Sequence, residues 1–70
     1  MTNKLLLLKI ISENQPIGTH KLDILFYSVT SFKIPWSPIM TDLKNEEMIT
    51  HDNSGYKLTL KGISYLKAHT

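Results

Sequence analysis

The spacing of apolar residues changes along this chain, and the changes divide it into elements. Between residues 3 and 14, Leu6, Leu7, Ile10 and Ile11 fall within one arc at helical spacing, with Lys9, Ser12 and Glu13 opposite. Leu5 is the misfit, because it falls on the polar side near Lys9 and Ser12. Asn14-Gln15-Pro16 ends this helix, since proline lacks an amide hydrogen and disfavours a helical residue before it. Ile17 follows in a short extended link closed by Gly18. Thr19 is placed to cap a second helix over about residues 20–28, its hydroxyl accepting an orphaned backbone amide. Leu22, Leu25, Phe26 and Val29 form that helix's inward stripe, and Ile24 and Tyr27 lie on the other side with His20.

Residues 30–36 read as a connection, because Pro35 and Pro38 bracket Trp36 and prevent regular hydrogen bonding. Trp36 there either covers the core edge or stacks on a ligand. Ser37-Pro38 is a helix start, with serine as cap and proline at the first helical position. The third helix is expected to run to Glu46, with Ile39 and Leu43 inward, Met40 at the boundary, and Ser37, Thr41, Lys44 and Asn45 outward. Then the period shortens. Met48-Ile49-Thr50-His51 and Tyr56-Lys57-Leu58-Thr59-Leu60 flank Asp52-Asn53-Ser54-Gly55, which predicts a tight hairpin. Tyr56, Leu58 and Leu60 are expected on one face of the second strand. Thr59 is placed to cap a last helix through about Ala68, held inward by Ile63 and Leu66. The fold class is mainly α with a small β-hairpin.

Seventy residues and 8.0 kDa accommodate a single domain spanning residues 1–70, with a small core. Without cysteine there is neither a disulfide framework nor a thiolate metal cage, which fits a cytoplasmic protein. Lys9 stops the longest apolar run, Leu5–Leu8, so no membrane partner is expected. The net charge is +2, and every cation is a lysine. That limits base-specific recognition, whose commonest contact is a forked guanidinium on guanine. Within residues 31–50, Asp42, Glu46 and Glu47 outnumber Lys33 and Lys44 by one, whereas residues 51–70 carry Lys57, Lys61 and Lys67 against Asp52 alone.

The order of elements and three local patterns resemble the winged helix-turn-helix superfamily. The patterns are Ile39-x3-Leu43-x4-Met48-Ile49, the junction Gly55-Tyr56-x-Leu58-Thr59-x-Lys61-Gly62, and helix 3–14 leading through one extended residue into a second helix. The junction is similar to that of bacterial regulators of the MarR and PadR kinds. The resemblance implies a three-helix core, a hairpin wing and a C-terminal helix. It further implies a transcriptional regulator that binds double-stranded DNA as a homodimer. By position, Ser37, Met40, Thr41, Lys44 and Asn45 on the third helix would meet bases and phosphates, and Lys33 and Lys57 would neutralise phosphates. Two departures lie beside that surface: about eight residues separate the second and third helices, and Glu46-Glu47 stand where the family carries a glycine.

Leu5, Ile24 and Tyr27 are the candidate dimer seam, as large apolar groups on outer faces. His20, His51 and His69 are not spaced as metal ligands, and no metal or cofactor is expected. No nucleophile stands beside a base and a third orienting group, so the chain does not read as an enzyme. The alternative to DNA binding is a protein-interaction module on the same fold, which the acidic third helix and the absence of arginine favour.

Overall fold

The computed structural model describes residues 3–30 and 35–69. They form α1 (Asn3–Asn14), α2 (Thr19–Val29), α3 (Ser37–Asn45), β1 (Ile49–Asp52), β2 (Gly55–Leu58) and α4 (Leu60–Ala68). The protein is mainly helical, with a small two-stranded antiparallel hairpin.

The first helix is the centre of the packing. It buries Leu5, Leu7, Leu8, Ile10 and Ile11, because α2, α3, α4 and β2 all lie against it. One amphipathic arc cannot describe a helix enclosed on several sides. Leu5 is therefore corrected: it is only 7% exposed rather than part of an outer apolar face.

Gly18, not Thr19, precedes the first helical residue of α2, and its carbonyl accepts the Leu22 N–H at 3.0 Å. Leu22 and Phe26 are fully buried and Leu25 half-buried. Val29 is 60% exposed, since it stands in the last turn beyond Phe26. Thr30 closes the helix, donating both its N–H and its hydroxyl to the Phe26 carbonyl.

Trp36, not Ser37, precedes α3 and makes no side-chain cap bond, and Pro38 occupies the first turn. Trp36 is half-buried against the core, and its indole N–H donates to Asp23 on α2 at 2.5 Å. Leu43 and Met40 are the buried residues of α3, while Ile39 is half-buried. Met40, placed at the boundary by its spacing, thus faces the core.

The end of α3 is a Schellman turn, with Met48 N–H donating to Leu43 O and Glu47 N–H to Lys44 O, both at 3.0 Å. Glu47 holds the left-handed position of this turn, at φ +62°. That conformation crowds the Cβ of an L-residue against its own backbone. Glu47→Gly should therefore stabilise the protein by roughly 0.5–1 kcal/mol, net of the added freedom of the unfolded chain. Urea denaturation measures it; a lower midpoint would contradict the account.

The hairpin pairs Ile49 with Leu58, Thr50 with Lys57, His51 with Tyr56 and Asp52 with Gly55. Ile17, in the link between α1 and α2, bridges to the other edge of β2 through two hydrogen bonds with Tyr56. Beside it, the Gln15 side chain accepts the Leu58 N–H at 3.0 Å. The bridge requires glycine at position 55, where φ is +123° and a Cβ would lie 2.5 Å from the Ile17 carbonyl oxygen.

Thr59 ends β2 by tying three elements together. Its N–H donates to Met48 O at 3.0 Å, its hydroxyl donates to Glu47 O at 2.6 Å, and the same oxygen caps α4 by accepting from Gly62 N–H. Leu60 is consequently not the last residue of the strand; it opens α4 and is 83% exposed.

Candidate nucleic-acid interface

The outward edge of α3 carries Ser37, Thr41, Lys44 and Asn45, all exposed. Thr41 donates its hydroxyl to the Ser37 carbonyl at 3.2 Å, so that group is engaged with the helix itself. Lys44 lies in the last turn, where the helix dipole favours a cation. Met40 cannot join this edge because it is 3% exposed. Lys33 lies outside the described residues.

Carboxylates flank the same surface. Asp42 and Glu47 are exposed, and Glu46 is half-buried in an ion pair with Lys4 of α1. The hydrogen bond from Lys4 to Glu46 raises the Lys4 pKa above its ordinary value. Lys4 also lies 5.5 Å from the centre of the Tyr65 ring on α4, a cation–π distance. These contacts join the end of α3 to α1 and α4.

On the hairpin, Lys57 is half-exposed and stands 3.5 Å from the Asp52 carboxylate. Asp52 also accepts the Ser54 N–H at 2.8 Å, inside the turn. The Ser54 amide first, and Lys57 after it, hold the Asp52 carboxyl below the usual carboxylate range. The support this gives the turn is present above the ordinary aspartate value of 3.8 and is lost as pH falls through the lower folded value. Next to this pair, the His51 and Tyr56 rings stack across the strands at 4.3 Å.

The candidate seam does not assemble from the three residues named for it. Ile24 is 53% exposed and Leu5 is buried. Tyr27 is half-buried, packed on the core and edge-on to Phe26 at 5.7 Å. Sequence reading also missed the pairing of Lys57 with Asp52, although opposite charges at the first turn residue and two residues beyond Gly55 were its signal. The Lys4–Glu46 pair spans 42 positions and had no local signal.

Among the described residues, no group of three or more His, Cys, Asp or Glu side chains is arranged to hold a metal ion. No described helix is long and apolar enough to cross a membrane. No protein-family model matches the sequence, and no curated protein matches it.

Proposed function

We propose that this chain is a winged-helix module that binds duplex DNA through α3 and the hairpin, acting as a paired transcriptional regulator. The observation that carries the reading is the uncovered polar edge of α3, running through Ser37, Thr41, Lys44 and Asn45. The order helix, bridging residue, two helices, hairpin and helix supports it, with Ile17 completing the small sheet. On this reading Asn45 meets an adenine edge and Lys44 a guanine or phosphate, while Lys57 neutralises a backbone phosphate. Met40 takes no part. A lone module of this size makes few phosphate contacts, and pairing raises affinity through effective concentration.

The second reading is a protein-binding module. Asp42 and Glu47 exposed beside Lys44, together with the Asp52 carboxylate beside Lys57, favour it. Titration of the protein into random duplex pools at low salt separates the two, since lysine–phosphate contacts are strongest there. Binding should weaken with salt at a log–log slope near −0.9 per phosphate contact. Lys57→Ala should make that slope shallower by about one unit, and Asp52→Asn should strengthen binding by freeing Lys57. Asn45→Ala should instead relax preference at one base pair by about 1–3 kcal/mol. Absence of binding at low salt would reject the DNA reading in favour of the protein one.

A further inference from the structure

The hairpin has two edges, and among the described residues only one is occupied. Tyr56 directs both its N–H and its carbonyl to Ile17, at 2.7 and 3.1 Å, so neither group faces β1. In an antiparallel ladder this makes His51–Tyr56 a non-hydrogen-bonded pair, and the N–H and carbonyl of His51 point away from β2. The close ring stacking of His51 on Tyr56 fits such a pair, whose side chains approach most closely. Parity along the strand turns Ile49 outward too. Ile49 is buried, however, so the accessible part of the edge is centred on His51, which is exposed.

An open edge is a template for another strand; Ile49–Asp52 carries no proline, lysine or bulge, and only its four-residue length and the terminal Asp52 blunt it. The edge is also self-complementary. With His51 opposite His51 of a second copy, the two residues exchange N–H···O bonds across a dyad perpendicular to the sheet. Thr50 then faces Asp52 of the second copy, a hydroxyl donor opposite a carboxylate acceptor, and no like formal charges oppose each other while the histidines are neutral. Because the dyad is perpendicular to the sheet, both copies present Lys57 on the same face.

We infer that β1 is a homodimerisation edge, joining the hairpins of two copies into a four-stranded sheet with His51 at the dyad. The inference rests on the paired-module part of the proposed function and is independent of whether α3 meets DNA. It replaces the seam of Leu5, Ile24 and Tyr27.

Sedimentation without DNA, together with amide hydrogen exchange, tests it. The expected result is association to twice the 8.0 kDa chain mass as concentration rises. Exchange of the His51 amide should slow at least about tenfold over the same range, while the Thr50 amide, already bonded within the hairpin, changes little. His51→Pro removes the outward donor at a position where an edge strand tolerates proline, and His51→Glu sets two carboxylates face to face. Both should be monomeric with melting curves close to the parent's at dilution, whereas neutral His51→Gln should still pair. A dimer that survives His51→Pro, or one whose His51 amide exchanges freely, overturns this edge while leaving pairing itself intact. A monomer at every concentration overturns both. DNA titration is scored separately.

Discussion

Gly62→Val should remove a large part of the protein's stability. A Cβ at this position would lie 2.1 Å from the Met48 carbonyl oxygen and 3.0 Å from its carbon. Both are backbone atoms, so no rotamer change relieves the contact, and α4 must move away from the start of β1. That movement pulls on Thr59, whose N–H is bonded to the same Met48 oxygen and whose hydroxyl caps α4 at Gly62. The gain in helix propensity on replacing glycine is under about 1 kcal/mol. Overpacking of a rigid contact costs about 1–3 kcal/mol or more, and loss of the cap adds about 1. The clash wins. Against a total stability near the low end of about 5–15 kcal/mol, the folded state keeps only a small margin and melts well below the parent. Gly18→Ala, with nothing within 4 Å, is the control and should stay within about 1 kcal/mol of the parent. Circular dichroism melts decide the matter, and a Gly62→Val melt within a few degrees of the parent would refute the close approach.

Phe26→Ala should cost about 3–5 kcal/mol, the range for emptying a fully buried aromatic site. Phe26 is 0% exposed and is among the largest fully buried side chains, surrounded by a core drawn from α1, α2, α3 and both strands. The same buried cluster includes Leu7, Leu8 and Ile11 on a helix held from several sides, so a simple helix shift cannot close the cavity. Tyr27 also loses its edge-on ring contact. Val29→Ala, on the same helix but 60% exposed, should change stability by less than about 1 kcal/mol. Chemical denaturation of the pair checks this; equal losses would mean that α2 does not face the core as described.

The parts of the fold legible in the chain are those governed by near neighbours. Pro16 ends α1, Thr59 caps α4, and alternation around Asn53-Ser54 makes the hairpin, each through contacts a few residues apart. The polar edge of α3 was legible for the same reason, apart from Met40. A one-residue uncertainty in helix phase decided whether Met40 or Ile39 is the more deeply buried, and spacing alone could not resolve it. Leu60 shows the opposite limit. Its alternation with Leu58 favours a strand, but the Thr59 bonds to Glu47, Met48 and Gly62 start a helix there, and two of the three partners are 11 or more positions away in the chain.

By itself, then, the sequence determined where α1 ends, that Thr59 caps the last helix, where the chain reverses in a hairpin, and that no thiolate chemistry is open to it. Local backbone sterics, capping and hydrophobic period act over a handful of residues, and the linear order of residue types displays them directly. Tertiary structure alone decided that α1 is enclosed rather than amphipathic, which removes Leu5 from the surface. It alone decided that Glu46 is held by Lys4, that Lys57 is shared with Asp52, and that Ile17 occupies one edge of the hairpin. Burial and electrostatic pairing depend on which elements meet in space, and a contact between residues 42 positions apart leaves no periodic trace between them.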